Sequence, residues 1–210
     1  MKVTVFGITG YTGRNLAREL RARGHSVTGV ARTRGDVPDG VAFVEGSIFD
    51  EGVVAVASKD ADVIVVAVHH SAGQNDLRDA LPSLLATAER GNLRLGIIGG
   101  AGSLFTEESG PRLLDSGFPD AWRPEAEAAA RTLEELRESD TAADWFYVSP
   151  AEVYGSFAPG QRRGTYRLGR DVIVRDADGQ SVIGGEDLAV AVVDELETPA
   201  HHKTRFTLAY

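Results

Sequence analysis

Short apolar runs alternate with stretches of helical periodicity along the chain. Apolar strands separated by helices are typical of a parallel sheet with helices on both faces. The pattern therefore predicts an α/β fold, a doubly wound parallel sheet whose ligand lies at the carboxyl ends of the strands, where the strand order reverses between strands one and four. The six predicted strands are residues 3–6, 26–31, 41–45, 62–68, 93–98 and 144–148.

The segment between the first two strands predicts a βαβ unit. Leu16, Ala17 and Leu20 repeat at helical spacing and are expected to face the sheet. Gly24 is expected to end this helix as a C-terminal cap. The charged side chains of the segment are expected to point into solvent, namely those of Arg14, Arg18, Glu19, Arg21 and Arg23.

Caps and prolines mark the helices that follow. Asp50 is expected to cap a helix that begins near Glu51. Pro82 should start or kink the helix before strand five. Pro124 stands at the first turn of an Ala- and Glu-rich helix that runs to about Ser139.

The pattern changes after strand six. Short strands at 166–168 and 171–174 flank Gly169 and predict a small hairpin region laid over the sheet edge. A last helix is expected at 186–197 and a last strand at 205–208.

Length, charge and composition narrow the functional classes. We expect a single domain over residues 1–210, with 151–210 as a small extension on the substrate side. A formal net charge of -9 opposes nucleic-acid binding, and the lack of cysteine suits a reducing compartment. Met1 leads straight into a strand, and no apolar run reaches the roughly 18 residues of a membrane span. We expect a cytoplasmic protein acting on a small molecule; the oligomeric state is left open, with a homodimer among the options.

A glycine-rich turn follows the first strand and opens the first helix. Gly7 lets the strand reverse into the helix, Gly10 lets a pyrophosphate approach the backbone, and Gly13 permits close packing of helix on strand. In this βαβ context the turn predicts a pyridine dinucleotide site, and a merely structural turn is the alternative. The predicted cofactor-binding residues of the turn are Gly7, Thr9, Gly10, Tyr11, Thr12 and Gly13.

Arg32 and Arg34 follow the second strand. At that position an acidic residue bonds the ribose of NAD, whereas an arginine accepts the 2′-phosphate of NADP. We therefore expect NADP(H) to be favoured over NAD(H); the alternative is that both arginines belong to a solvated loop. Ser47, Ile48 and Phe49 are expected to border the adenine.

Three parts of the chain carry a resemblance to a known family: residues 3–13, the segment Gly99-Gly100-Ala101-Gly102-Ser103 with its flanks, and 161–174 together with Arg205-Phe206-Thr207. They resemble the NADH-flavin reductases, small NmrA-like atypical short-chain dehydrogenase/reductases with an NAD(P)-binding Rossmann fold. A more distant relation is the biliverdin reductase B type of flavin reductase. The resemblance covers nearly the whole chain. It implies a nicotinamide site formed by Ala67, Val68, His69, Gly100 to Ser103, Pro150 and Ala151.

A catalytic pair of the short-chain dehydrogenases is missing. Those enzymes protonate the substrate with a Tyr that is assisted by a Lys four residues later. At that spacing from Tyr11, Tyr147, Tyr154 and Tyr166, this chain has Asn15, Ala151, Ala158 and Arg170. A flavin, quinone or similar conjugated acceptor suits such a site, because its delocalised anion can be protonated by solvent. Trp122 stands where relatives carry a Tyr.

Ser103 and His69 are the catalytic candidates that remain. Ser103 would orient the acceptor, or else cap the following turn. His69 would donate a proton near neutral pH, or else be a polar strand end packed against the cofactor. An acceptor pocket or the core would contain Trp122, Phe118, Phe157 and Tyr154. His201 and His202 are adjacent on a strand and would point to opposite faces, so no metal site is expected.

Three functions fit these features. The first is an NAD(P)H-dependent reductase of a flavin, quinone or similar acceptor. The second is a non-catalytic, NmrA-like sensor that binds dinucleotide and reports its redox state to a protein. The third, a nucleotide-sugar epimerase or dehydratase, is disfavoured because about 60 residues after strand six leave little room for a sugar-nucleotide domain.

Overall fold

An eight-stranded sheet is the centre of the computed structural model, which describes residues 1–72 and 75–210. The strands within these residues are β1 (Lys2–Phe6), β2 (Ser26–Ala31), β3 (Ala42–Glu45), β4 (Val63–Val66), β5 (Ser71–Ala72), β6 (Asn75–Asp76), β7 (Arg94–Ile98), β8 (Trp145–Ser149), β9 (Arg167–Gly169) and β10 (Thr204–Ala209). The α-helices are α1 (Tyr11–Ala22), α2 (Glu51–Ala57), α3 (Leu81–Gly91), α4 (Arg123–Glu138) and α5 (Gly185–Glu197). Short 3-10 helices cover Leu77–Ala80, Leu113–Asp115 and Asp120–Trp122.

The strand order confirms the predicted doubly wound fold. The main sheet runs β3-β2-β1-β4-β7-β8-β10-β9, and every neighbouring pair is parallel except β10 with β9. All six predicted strands are present, and the order reverses between β1 and β4 as expected. The carboxyl ends of the parallel strands therefore lie along one side of the sheet, which we call the carboxyl edge. Their amino ends lie along the opposite side, the amino edge; both names are distinct from the edge strands β3 and β9.

Helices cover both faces of the sheet. On one face α1 and α5 pack together, and on the other α2, α3 and α4 do so. Fully burying one leucine side chain contributes about 1.5–3 kcal/mol, so each face is a large source of stability. The core below α1 and α5 includes Leu16, Leu20, Leu188, Val192 and Phe206. No helix among the described residues has both the length and the apolar character needed to cross a bilayer.

The predicted helix starts are confirmed. The Asp50 carboxylate accepts hydrogen bonds from the N–H groups of Gly52 at 2.9 Å and Val53 at 3.2 Å, which caps α2. Pro82 lies in the first turn of α3 and Pro124 in the first turn of α4, where a missing N–H leaves no helical bond unmade.

Glu19 does not face solvent, and its predicted orientation is wrong. The residue is only 5% exposed, and its carboxylate accepts hydrogen bonds from Arg23 Nε at 2.8 Å and Arg162 Nη1 at 2.5 Å. Burial alone would raise the pKa of Glu19, but the bonds from these two arginines hold it below its usual value. A second side of α1 is covered by residues from the far end of the chain, and a local pattern cannot reveal that cover.

The C-terminal hairpin region takes a different form from the one predicted. β9 does not pair with residues 171–174; it pairs antiparallel with β10 and becomes the edge of the main sheet. Residues 171–174 instead follow Phe105, whose N–H donates to Asp171 O at 2.8 Å and whose carbonyl accepts from Ile173 N at 2.9 Å. β10 offers a full row of unpaired backbone groups to β9, so pairing across the sheet prevails over the local hairpin.

Candidate dinucleotide and acceptor site

The turn after β1 is closely packed around two of its glycines and open at the third. Gly7 has a φ of +84°, and a Cβ there would lie 2.3 Å from Ala67 O; a Cβ on Gly13 would lie 2.2 Å from Gly7 O. Neither position can hold a side chain. A Cβ on exposed Gly10 would meet Gly7 O at 3.2 Å and otherwise only Ala67 O at 3.9 Å. The middle glycine is therefore where a ligand can reach the backbone.

The amino terminus of α1 opens at this turn, and no side chain of residues 1–72 or 75–210 caps it. The first N–H that bonds back into the helix is that of Arg14, which donates to Gly10 O at 3.0 Å. The N–H groups of Tyr11, Thr12 and Gly13 precede it, and helix geometry gives them no partner within α1. Free N–H groups and the helix dipole attract an anion, so this cradle fits the pyrophosphate of a dinucleotide.

Tyr11 and Thr12 connect the turn to the C-terminal part of the chain. The Tyr11 hydroxyl accepts from Gly185 N at 3.0 Å, at the start of α5, and donates to Pro159 O at 3.3 Å. The hydroxyls of Thr12 and Tyr154 lie 2.7 Å apart. Both bonds of Tyr11 use its hydroxyl, so its backbone N–H is left for a phosphate. Because Tyr154 contacts Thr12, it lies at the phosphate end of the site instead of among the acceptor residues.

Arginines surround the loop after β2. Arg32 is exposed, and the Arg34 guanidinium lies 5.5 Å from the ring centre of Phe43. Arg14, in the first turn of α1, places Nη1 3.6 Å from an Asp36 carboxylate oxygen of the same loop. The sequence prediction treats Arg14 only as a solvent-facing residue, although its position directly after the third glycine of the turn indicates the cofactor side.

The predicted adenine border and Thr9 occupy neighbouring loops. The Thr9 side chain lies beside Gly35. Ser47 Oγ accepts from Phe49 N at 3.3 Å. Ile48 is 6% exposed and packs into the core, so its backbone and not its side chain is available to an adenine.

Glu125 fixes the loop after β4. Its carboxylate, in the first turn of α4, accepts from the N–H groups of His70 at 2.7 Å and Ser71 at 2.8 Å. The preceding residue of the loop, His69, has a side chain that is 85% exposed and an Nδ1 3.5 Å from Glu125. Ala67 and Val68 lie against Gly7, so the loop reaches from the phosphate turn to α4.

The two histidines of this loop have opposite electrostatic surroundings. The hydrogen bond with Glu125 raises the pKa of His69. Burial lowers the pKa of His70 below 6.5, and its contact with Ile98 only partly opposes this. A carbonyl can only accept, so His70 Nε2–H donates to Ile98 O at 3.0 Å, while Nδ1 lies 3.0 Å from Thr132 Oγ1. His69 can present a proton to solvent, and His70 is a neutral structural group.

Ser103 follows β7 and is bonded to a buried arginine. Its Oγ accepts from Arg205 Nη1 at 2.8 Å, and Arg205 also bonds the carboxylate of Asp171. Gly100 and Pro150 stand at the ends of β7 and β8, with Gly100 partly exposed and Pro150 buried. The structure thus brings Ser103 and Gly100 onto one loop at the carboxyl edge.

Two exposed aromatic rings meet just before α4. Trp122, just before α4, is 55% exposed and stacks on Phe157, which is 65% exposed; the ring centres are 5.6 Å apart and the planes 22° apart. Phe118 packs instead against Leu104 and Leu114 in small clusters below. Of the four predicted pocket residues, Trp122 and Phe157 form an open aromatic surface.

The histidine pair before β10 lies at the amino edge, far along the strands from this site. His201 Nδ1 is 2.6 Å from Glu195, and His202 Nδ1 is 3.0 Å from Asp144. Each ring therefore pairs with a different carboxylate.

Sequence reasoning misses Glu125, Asp171 and Arg205 as site residues. Their partners lie 34 to 102 positions away along the chain, which no local motif reports. One signal was available: Arg205 is a lone charge within a strand of otherwise apolar and Thr residues, and a charged residue buried in a strand requires a partner.

Comparisons with known proteins show which family the chain resembles. A family model described as NAD(P)H-binding matches residues 7–199. The uncharacterized protein YwnB of Bacillus subtilis is 36% identical over 215 residues, covering 99% of this chain and 98% of its own length. A 3-diazoavenalumate denitrifying reductase of Streptomyces is 31% identical over 161 residues, covering 69% of this chain and 53% of that protein.

A solved structure shares the whole fold. The Streptococcus pneumoniae protein, provisionally named an NADH-flavin reductase, is 28% identical with a TM-score of 0.88, covering 100% of this chain and 99% of its own. These similarities confirm the resemblance that the sequence motifs indicated.

Proposed function

This chain belongs to the NAD(P)H-binding family, and from that premise we propose that it is a reductase that transfers a hydride from NAD(P)H to a flat conjugated acceptor such as a flavin or quinone. The named reductases among its relatives support the reaction class. When bound, the dinucleotide supplies the hydride; the protein supplies binding, orientation and electrostatics.

The open amino terminus of α1 would hold the pyrophosphate. Gly10 leaves room for it, and the N–H groups of Tyr11, Thr12 and Gly13 would donate to it. The nicotinamide would then extend along the carboxyl edge toward the loops at Val68 and Gly100.

We propose NADP(H) as the preferred cofactor. Arg32 is exposed at the end of β2 and has no ion-pair partner in the part of the chain that the structure describes, so its guanidinium is available to a 2′-phosphate. Arg14 and Arg34 add positive charge to the same region, so three arginines outnumber the two carboxylates of the loop, Asp36 and Asp39.

The tyrosine hydroxyls carry the argument for the acceptor class. Tyr147 is fully buried and donates to Ala129 O at 2.8 Å, and burial raises its pKa. Tyr154 and Tyr11 are engaged at the phosphate end. None of these hydroxyls is placed to protonate an isolated ketone, so we propose an acceptor whose anion is delocalised. Proximity and orientation would then supply most of the rate.

The stacked pair of Trp122 and Phe157 supports a flat acceptor. Two rings exposed at the acceptor end offer a surface on which a tricyclic or quinone ring can stack, worth about 0.5–1.5 kcal/mol beyond area burial. The same exposed pair would also suit a protein partner, so the sensor hypothesis is the second candidate.

Rapid-mixing oxidation of NADPH and NADH against FMN, quinones and conjugated carbonyls tests the proposal. We expect turnover with at least one flavin or quinone and none with simple ketones. The chain has two tryptophans, exposed Trp122 and buried Trp145, so FMN binding should quench the Trp122 emission and leave the Trp145 emission. Trp122→Phe is the matched control, in which the quenching should disappear. If no acceptor oxidises NADPH or NADH, the sensor hypothesis becomes the first candidate.

A further inference from the structure

Arg205 is a buried cation below the loop after β7. Its side chain is 1% exposed although it lies on β10, in register with Tyr147 of β8. Nε donates to Asp171 Oδ1 at 3.0 Å, Nη2 donates to the same oxygen, and Nη1 donates to Ser103 Oγ at 2.8 Å. Two nitrogens of the guanidinium therefore bond a structural anion, and the third bonds a residue of the proposed site.

The direction of the Arg205–Ser103 bond is fixed by chemistry. A guanidinium has donors and no acceptor, so Ser103 Oγ must accept. The serine keeps its own proton, and within residues 1–72 and 75–210 the hydroxyl has no other partner. Because Ser103 is partly exposed, that proton can be donated to a bound molecule.

The cluster around Arg205 has an excess of positive charge. Asp171 Oδ1 also accepts from Arg137 Nη2 at 2.7 Å, so two arginines share one carboxylate. Burial alone would raise the pKa of Asp171, but its bonds with Arg137 and Arg205 lower it, so it stays ionised. A net positive charge fixed below Ser103 stabilises a negative charge that develops above it.

Two more hydroxyls extend this polar strip. Ser149 and Thr207 are register partners on β8 and β10 and share the sheet face of Tyr147 and Arg205. Both are fully buried, and among the described residues neither hydroxyl has a hydrogen-bond partner. An unpaired buried hydroxyl is unfavourable and rare, so this strip is not explained by packing alone.

We propose that Arg205 is a positioning residue for the reductase reaction: it holds and polarises Ser103, whose hydroxyl donates a hydrogen bond to the anion that forms on the acceptor. The inference rests on the proposed function. Bound NAD(P)H would supply the hydride, with its two electrons, that forms the new bond on the acceptor, and would be left as NAD(P)⁺. The acceptor would become an anion, Ser103 would keep its proton, and solvent would supply the final one. The Ser103–Arg205 pair thereby takes the place of the missing Tyr–Lys pair.

A double-mutant cycle tests the pair. Ser103→Ala and Arg205→Lys should each slow single-turnover oxidation of NADPH by FMN by up to about tenfold, the loss of one hydrogen bond. The double variant should be no slower than either single variant, and Ser103→Thr should stay within about twofold of the parent because it keeps the hydroxyl. NADPH affinity, measured by calorimetry, should stay within about twofold in all four.

Arg94→Lys is the matched control, because Arg94 is also buried but lies at the amino edge. It should lower the thermal midpoint as Arg205→Lys does, yet leave the rate within about twofold. If the rate losses of the two single variants multiply in the double variant, or if Arg94→Lys slows the reaction as much as Arg205→Lys, the proposal is overturned.

A binding cycle separates this inference from the proposed function. FMN affinity for the protein with NADP⁺, followed by Trp122 emission, involves no turnover. Because the Ser103 hydroxyl can also donate to an oxygen of the neutral acceptor, more weakly than to the anion, this affinity should weaken by the same factor, about threefold, in Ser103→Ala, Arg205→Lys and the double variant. A parent protein that never oxidises NADPH would refute the proposed reductase. If the parent does turn over but the two substitutions change FMN affinity independently, only the Ser103–Arg205 pair is refuted.

Discussion

Arg94 and Arg205 are both buried in the same sheet but bond different kinds of group. Arg94, at the amino edge, donates to Asp144 at 3.0 Å, to the Glu195 carboxylate at 2.5 Å, and to the carbonyls of Glu195 and His201. Arg205 bonds Asp171 and one hydroxyl that belongs to a loop of the carboxyl edge. All partners of Arg94 lie at the amino edge, so Arg94 holds the elements of that edge together. Arg205 instead connects β10 to a loop of the proposed site. The amino edge should therefore control stability and the carboxyl edge binding.

The largest effect is expected at the amino edge. Arg94→Met leaves Glu195, whose side chain is 4% exposed, without its main cation, which should lower the free energy of unfolding by about 3–5 kcal/mol. NADPH affinity at a temperature where the variant is folded should stay within about twofold. Urea unfolding and calorimetry measure the two quantities. A large change in NADPH affinity would show that the two edges do not control stability and binding separately.

Gly10→Val should have the reverse profile. Its Cβ meets Gly7 O at 3.2 Å, a contact that a small shift relieves, and the extended backbone at Gly10 suits valine, so the fold should persist. The side chain would occupy the pyrophosphate position and should weaken dinucleotide binding at least 100-fold, about 2.7 kcal/mol. Normal NADPH binding by the folded variant would show that the phosphate turn is misplaced.

Arg32→Ala sharpens the comparison within the carboxyl edge. It should weaken NADPH binding by about 1.5–3 kcal/mol, the range for a hydrogen bond to a charged group, and leave NADH binding unchanged. Arg18→Ala, an exposed arginine further along α1, is the control and should alter neither. Equal affinities of the parent for NADPH and NADH, by titration calorimetry, would contradict the NADP(H) preference.

The smallest effect concerns pH and the two histidines of the loop after β4. Burial lowers the pKa of His70 in the folded state, so the unfolded chain binds the proton first and stability falls as pH drops below 6.5. The raised pKa of His69 acts oppositely: its stabilisation is full below 6.5 and is lost as pH rises through the folded value.

His70→Asn should therefore flatten the loss of stability between about pH 7.5 and about pH 5.5, and His69→Asn should steepen it, each by at most about 1.4 kcal/mol per pH unit. Urea unfolding at both pH values measures these slopes. Equal slopes in the two variants would mean that the loop does not separate the histidines as described.

Local patterns predict the parts of this molecule that depend on neighbours in sequence. The strand runs, the Asp50 cap and the glycine turn need only a few adjacent residues, and all three are where the sequence places them. Glu19 and β9 are different, because their partners, Arg162 and β10, lie far along the chain. The loop after β7 predicts Ser103, but the cation that bonds its hydroxyl comes from the last strand.

The pairing of α1 with α5 has a consequence for the order of synthesis. About 160 residues separate the two helices, which at 5–20 residues per second amounts to on the order of ten seconds or more on the ribosome. During that interval Leu16 and Leu20 have no covering helix, and Glu19 lacks Arg162. The nascent N-terminal half therefore exposes apolar side chains to solvent until α5 has been made. A circular permutant that begins after α4 would make α5 before α1 and shorten that exposure.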